Sequence, residues 1–330
     1  MLEALVSGSI RAAVWSLAAL GFSALLLVGL IAWPLHRPPE LPSISTTARA
    51  VDRSTMPGLQ RFAARDGTQL AYRHYPATGA ATGQVAVLVH GSSGSSAAVH
   101  ALAKTLAERG VATFAPDIRG HGGSGTRGDI GYVGQLEDDM ADFVADIRKV
   151  HPDSPVTLIG HSSGGGFALR VAGSPIQHLF DRTVLLAPYL GYDAPSSRPN
   201  SGGWANPDIP RFIGLTLLRR AGMSWGESLP AIAFAVPENS ANMLASTYSY
   251  RLMRNFSASR DYRVDLAAAL RPVTIFSGGA DELIQSDRLG DAVGDRVRVH
   301  IIDGVNHMGI LSDPRATSVI ADHVASAGAA

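Results

Sequence analysis

Residues 160–164 read Gly-His-Ser-Ser-Gly. The pattern Gly-x-Ser-x-Gly fits in one register, with Ser162 central, because a register centred on Ser163 would need glycine where His161 stands. Such a motif requires a sharp strand-to-helix turn that lifts the serine to its apex. Flanking glycines allow the close approach of strand and helix that the turn forces. The apolar run Val156 to Ile159 reads as the strand, and Ser163 to Ala172 as the helix. Ser162 is therefore a candidate nucleophile for acyl transfer. The competing reading is a glycine-rich helix start with no chemistry.

A serine hydroxyl needs a base to take its proton and a third group to orient that base. For a serine on such a turn the chain order is Ser, acid, His. Four histidines follow Ser162. His178 precedes any candidate acid, His300 lies within the strand Val297 to Ile302, and His323 sits on a terminal helix, where a surface position is expected. His307, in Asp303-Gly-Val-Asn-His-Met-Gly309, lies in the loop after the last strand, where an α/β crevice forms. It is the candidate base. Asp281, leaving the strand Val273 to Phe276, is the candidate acid; Glu282 should point elsewhere, and Asp303 caps its loop. An oxyanion requires backbone donors, expected from the N–H of Ser163 and from the loop His90 to Ser96, with Ser92 first and Ser93 second. His90 and His161 are read as packing or hydrogen-bonding these loops rather than moving protons.

The elements that must position these residues alternate. Arg61 to Ala64 and Thr68 to Tyr75 flank Asp66-Gly67, a hairpin turn. Val85 to Val89 is a wholly apolar run, expected of a strand buried on both faces. Helical character follows in Ala97 to Arg109, stopping at Gly110, then a strand at Val111 to Ala115 and a helix at Gly134 to Val150 with Leu136, Met140, Phe143 and Ile147 on one stripe. After Ser162 come strands at Thr183 to Ala187, Val273 to Phe276 and Val297 to Ile302, with helices at Ser286 to Val293 and Pro314 to Ala327. The rhythm implies an α/β fold with a mainly parallel sheet and helices on both faces. The gap from Pro188 to Arg271, about eighty residues, is too long for an ordinary connection. With helical stretches at Ile209 to Arg220 and Ala241 to Phe256, it is expected to be a helical cap.

The motifs His90-Gly-Ser-Ser-Gly94, Asp117-Ile-Arg-Gly-His-Gly-Gly-Ser-Gly125, Gly160-His-Ser-Ser-Gly-Gly165, Gly278-Gly-Ala-Asp-Glu-Leu-Ile284 and Asp303 to Gly309 resemble, in order and spacing, the α/β-hydrolase superfamily. The pattern Asp-x-Arg-Gly-His-Gly-x-Ser with a cap after the sixth strand is most similar to the monoacylglycerol lipase and lysophospholipase-like branch, also called serine aminopeptidase S33-like. The resemblance covers roughly residues 61–324. It implies Ser162 as nucleophile, Asp281 as acid, His307 as base, and Ser92 and Ser163 as oxyanion donors, with no cofactor. Aspartate-nucleophile relatives are disfavoured by serine at position 162. Gly120-His-Gly-Gly-Ser-Gly125 also matches Gly-x-Gly-x-x-Gly, but a charged loop rather than a helix follows it, against a dinucleotide site.

Lys+Arg and Asp+Glu are both 28 in a chain of 330 residues, and no basic run interleaved with aromatics points to nucleic acid. There are no cysteines, which excludes disulfides, thiolate metal sites and a cysteine nucleophile. No charge interrupts Ala12 to Leu35. As a helix, Ala12 to Trp33 would run roughly 33 Å, the thickness of a bilayer core, with Trp15 and Trp33 near its two ends. A signal peptide would have a shorter apolar core and a small-x-small cleavage site, so an uncleaved single-pass anchor is expected. Arg37, Arg49 and Arg53 outnumber Arg11, a lean towards a cytoplasmic domain that does not by itself assign the side.

The expected layout is an anchor at 1–36, a linker at 37–58, a hydrolase core at 59–187 and 272–330, and a cap at 188–271. Apolar cap residues such as Phe212, Ile213, Leu217, Phe234, Met243 and Leu244 suit packing on the core or an apolar pocket, and a lipid-derived small-molecule ester is the expected substrate. A serine hydrolase cleaving carboxylic esters leads. An S33-like peptidase or amidase, and a non-catalytic membrane-tethered binding protein, are the alternatives.

Overall fold

The computed structural model describes residues 2–240 and 244–326. Eleven strands run along the described chain: β1 (Gln60–Ala63), β2 (Gln69–Tyr75), β3 (Val85–Val89), β4 (Ala112–Pro116), β5 (Val156–His161), β6 (Arg182–Leu186), β7 (Ala205–Pro207), β8 (Pro230–Phe234), β9 (Thr247–Ser249), β10 (Val273–Gly278) and β11 (Arg298–Ile302). Eight form one sheet in the order β1-β2-β4-β3-β5-β6-β10-β11. The β1–β2 and β2–β4 pairs are antiparallel, and every pair from β4 to β11 is parallel.

This is the doubly covered sheet that the apolar runs require. All five residues of β3 and all six of β5 are buried, because helices pack on both faces. Gln135–Ile147 buries Leu136, Met140, Phe143 and Ile147 as one stripe. The hairpin turns at Gly67 with φ of 83°, and the helix His100–Glu108 stops before Gly110 with φ of 80°; both are left-handed positions that glycine takes without a Cβ clash. His323 departs from its expected surface position. It is half-buried, edge-on to Phe276 with ring centroids 5.2 Å apart.

Two segments differ from expectation. The residues between β6 and β10 hold the foreseen helix Ile209–Arg220, but also a second, antiparallel sheet of β7, β8 and β9. The helix expected over Ala241 to Phe256 is instead the strand β9 followed by a helix over Tyr250–Asn255. Thr247, Tyr248 and Ser249 are types that favour a pleated surface, and the Ser249 hydroxyl accepts from Leu252 N–H, capping a helix that begins only at Tyr250. Ala241, Asn242 and Met243 lie outside the described residues, as does Ala327.

The Pro- and Ser-rich stretch after the apolar helix is also not extended throughout. Pro42–Ala50 is helical, with proline at its first turn and Ile44 and Ser45 buried. Ile44 joins the main core, and Arg53 donates to the carbonyl oxygens of Ala48 and Val51.

The N-terminal helix, Leu2–Ile31, contains one segment long and apolar enough to cross a membrane, Ile10–Ile31. Its end meets the helix Ile209–Arg220. A Cβ on Gly214 would lie 2.8 Å from the Ile31 side chain, and the Arg211 guanidinium donates to the carbonyls of Ile31 and Trp33.

Candidate active site

Ser162 sits between β5 and the helix Ser163–Ala172 with φ of 53° and ψ of −119°. A non-glycine residue there stores roughly 1–3 kcal/mol of strain, which the surroundings must hold. They do so by hydrogen bonds: Ser162 N–H donates to Leu186 O at 2.9 Å, and Ser162 O accepts from Gly166 and Tyr189 N–H, each at 3.0 Å. The flanking glycines are required by contact. A Cβ on Gly160 would stand 2.1 Å from Gly164 O, and one on Gly164 would stand 2.2 Å from His90 O.

His307 and Asp281 come from loops after β11 and β10, at the same sheet edge. Both are buried, and His307 Nδ1 lies 2.8 Å from Asp281 Oδ2. Asp281 Oδ1 accepts from the N–H groups of Leu283 and Ile284 at 2.8 and 2.7 Å. Burial pushes the Asp281 carboxyl up, but the adjacent His307 and those two amides outweigh it, holding it below the ordinary carboxylate value. A carboxylate so held favours the proton on Nδ1 and leaves Nε2 as the acceptor. Ser162 and His307 line the same cavity. No hydrogen bond joins Ser162 Oγ to His307 Nε2 in this resting arrangement; such bonds commonly tighten only around substrate.

The loop after β3 provides the other expected donors. Ser93 N–H already donates to the hydroxyl of Tyr248 at 2.6 Å, which removes the second-choice donor. Ser92 Oγ accepts from the Trp204 indole at 2.8 Å. Ser92 and Ser163 both line a small pocket beside Ser162. Ser163 begins its helix, so its N–H has no intrahelical acceptor.

His161 and His90 hold loops, as expected. His161 Nε2 lies 3.2 Å from the backbone carbonyl of His307. Complete burial, reinforced by the neighbouring His307, pushes the His161 ring down to about 3, so it stays neutral beside Ser162. His90 accepts from Ile118 N–H through Nε2 and lies 2.7 Å from Gly91 O through Nδ1. In the glycine-rich segment 120–125, Gly120, Gly122 and Gly125 take positive φ, and Asp117 accepts from the N–H groups of Ser96 and Gly123. That segment folds the loop around Asp117 and opens no helix.

Three residues at the site were not foreseen. Tyr248, on β9, reaches Ser93 and also stands 2.6 Å from His121 Nε2. Trp204 reaches Ser92 from just before β7. Glu282 does not point away: its Oε2 accepts from His307 N–H at 2.9 Å, while its Oε1 is buried without a partner. Glu282 had a local signal, its place beside Asp281. Tyr248 and Trp204 had none, since each lies more than 110 residues from its partner.

The parallel sheet and its crevice of serine, histidine and aspartate define an α/β-hydrolase. The family model described as "Serine aminopeptidase, S33" matches residues 80–315, and the chain belongs to that family. It is similar to human monoglyceride lipase, at 31% identity over 46% of this chain and 49% of the relative. It is also similar to a monoacylglycerol lipase of Mycolicibacterium smegmatis, at 36% over 25% of this chain and 30% of the relative. The chain thus spans about half or less of the length of these curated relatives. Among solved structures, a soluble variant of monoglyceride lipase from Saccharomyces cerevisiae aligns with a TM-score of 0.62 at 16% identity, covering 84% of this chain and 96% of that one. A putative aryl esterase from Burkholderia cenocepacia aligns with a TM-score of 0.55 at 20% identity, covering 83% and 100%. Both likenesses concern the fold.

Proposed function

We propose that this protein is a membrane-anchored serine hydrolase that cleaves carboxylic esters through an acyl-enzyme. The observation that carries the proposal is the Asp281–His307 pair buried at the edge of the cavity that Ser162 also lines. In the first half-reaction Ser162 Oγ bonds to the carbonyl carbon and its proton passes to His307 Nε2. Asp281 keeps the ring oriented and stabilises the imidazolium. The backbone N–H groups of Ser92 and Ser163 receive the oxyanion. Collapse breaks the carbon–oxygen bond, and the alcohol leaves with the proton from His307. Water then repeats the sequence on the acyl-enzyme, releasing the acid and restoring the serine. No cofactor takes part.

Residues 1–36 serve as the anchor and 37–58 connect it to the core. The core comprises 59–187 and 272–330, and 188–271 cover it as the cap. The exposure of Trp15, Leu20, Phe22 and Leu25 supports the anchor, since water would leave such a face uncovered at high cost.

The test is fluorophosphonate labelling of the full chain in detergent, followed by ester hydrolysis. The parent should label at Ser162 and hydrolyse p-nitrophenyl esters. Ser162→Ala should lose both, with kcat falling on the order of 10⁶-fold. Unlabelled, folded parent protein would instead favour a binding role.

A further inference from the structure

The loop that carries one proposed oxyanion donor is held from two sides. On the core side, Gly91 O accepts from Gly94 N–H at 3.2 Å and lies 2.7 Å from His90 Nδ1. Because His90 Nε2 accepts from Ile118 N–H, the ring proton is on Nδ1 and is donated to that carbonyl. In a trans peptide the N–H points opposite to the C=O. Ser92 N–H therefore faces away from these contacts, and Ser92 lines the pocket that Ser162 also lines. The next residue is not held by the core. Ser93 takes φ of 63°, a left-handed conformation that a residue with a side chain adopts only under restraint, and its own hydroxyl is buried without a partner.

The restraint comes from the segment between β6 and β10, the proposed cap. Tyr248 on β9 accepts from Ser93 N–H at 2.6 Å, Ala245 N–H donates to Ser93 O at 3.1 Å, and the Trp204 indole donates to Ser92 Oγ at 2.8 Å. Proton count fixes the directions. The Tyr248 hydroxyl has one hydrogen and accepts from Ser93, so it donates that hydrogen to His121 Nε2, 2.6 Å away. His121 then carries its own proton on Nδ1, 3.3 Å from Arg119 O. Burial pushes the His121 ring down and the Tyr248 hydroxyl up, so both stay neutral and the pattern holds. Tyr248 is itself wedged in place. It is buried and packs edge-on against Phe234, with ring centroids 4.5 Å apart, and against His121 at 5.1 Å.

We infer that Tyr248, assisted by Trp204, is the positioning residue of the oxyanion hole, so that the cap is a working part of the catalytic centre rather than a detachable cover. The inference rests on the hydrolase reading given under Proposed function. The Tyr248 hydroxyl, engaged on both sides, acts through Ser93: it fixes the peptide between Ser92 and Ser93, and through that peptide the place of Ser92 N–H. Moving β9 away from the loop releases Ser93 and misplaces Ser92 N–H, while Asp281 and His307 stay 2.8 Å apart. The loss falls on the transition state, whose oxyanion needs the donor, more than on the bound substrate.

The test is Tyr248→Phe on the full chain in detergent, which keeps the ring and removes the hydroxyl. With p-nitrophenyl butyrate, kcat should fall tenfold or more, since losing an oxyanion donor outright costs about 10²–10³ in kcat, and KM should stay within threefold. Propyl trifluoromethyl ketone supplies the readout that a merely structural role would not move. Ser162 Oγ adds to its carbonyl carbon, the serine proton passes to His307 Nε2, and the resulting hemiketal oxyanion takes the place of the tetrahedral intermediate's. Its inhibition constant should rise by the factor by which kcat/KM falls. Trp204→Phe should show the same pattern at threefold or more, and it carries the test with that threshold if Tyr248→Phe does not fold. Thr216→Val, which removes a hydroxyl bonded to Tyr250 within the cap, should lower the melting temperature and leave kcat and the inhibition constant unchanged. A smaller fall in kcat for Tyr248→Phe overturns the inference. So does a rise in KM at unchanged kcat, which would make Tyr248 a substrate contact, or a fall in kcat with ketone inhibition unmoved, which would make its role structural alone. These outcomes are read on a parent that labels at Ser162; a folded parent that does not label sinks the hydrolase reading, and this inference with it.

Discussion

Replacing Asp281 with asparagine tests whether its carboxylate orients His307 for proton transfer. Oδ1 of Asp281 accepts two backbone N–H groups, from Leu283 and Ile284. An asparagine must keep its oxygen on that side, because turning the NH₂ towards two N–H donors would leave each buried amide unpaired at roughly 1–3 kcal/mol apiece. The NH₂ then faces His307 Nδ1, 2.8 Å from the present carboxylate oxygen. It can only donate, so Nδ1 must accept and the imidazole proton moves to Nε2. That tautomer cannot take a proton from Ser162. In a protease triad the same change lowers kcat by about 10⁴, or about 5.4 kcal/mol at about 1.36 kcal/mol per tenfold. Steady-state hydrolysis of p-nitrophenyl butyrate by Asp281→Asn, with a thermal melt to confirm the fold, measures it directly. A kcat within tenfold of the parent would refute the assignment of Asp281 as the orienting acid.

Three further outcomes follow from the same geometry. Ser162→Gly should abolish labelling yet raise stability by about 1 kcal/mol, the backbone strain released less the entropy cost of glycine; a lower melting temperature would show that φ of 53° is not strained here. Gly164→Ala should lower stability by 1–3 kcal/mol or more, since its Cβ would meet His90 O; chemical denaturation reads this, and a neutral result would mean that strand and helix can separate. The neutral, buried His161 should make the fold acid-sensitive. Its folded value near 3 lies below the ordinary 6.5, so the unfolded chain binds the proton first and stability falls as pH drops from 6.5 towards 3. The loss by pH 4.5 should be about 3 kcal/mol. The depressed Asp281 carboxyl works in the same direction at lower pH. His161→Gln should flatten the slope in urea melts at pH 7 and 4.5, and an unchanged slope would assign the sensitivity elsewhere.

What could be read from the chain was whatever is written locally. The Ser162 turn announces itself because strand, glycines and helix are contiguous, and the close contacts of Gly160 and Gly164 explain why no other residue type would serve. Asp281 and His307 were legible as residues just past apolar strands, and the sheet brings them to 2.8 Å. The α/β-hydrolase fold was likewise legible, because strands buried on both faces leave near-continuous apolar runs. The cap was not. The β7–β9 sheet is built from strands of three to five residues, too short to show a period, and Tyr248 and Trp204 act on loops far away in the chain. Pro42–Ala50 was hidden for a related reason: Ser43, Ser45, Thr46 and Thr47 are weak helix formers, and its apolar contribution to the core is essentially Ile44.

The grip of Arg211 on the carbonyls that close the N-terminal helix ties the cap to the end of the proposed anchor. The catalytic domain then does not swing like a buoy on a rope. If the helix is an anchor as proposed, the domain's mouth is held at a set altitude and heading over the lipid plane, by Arg211 and by the packed helix Pro42–Ala50 together, so cutting away Arg211 alone should change reach very little.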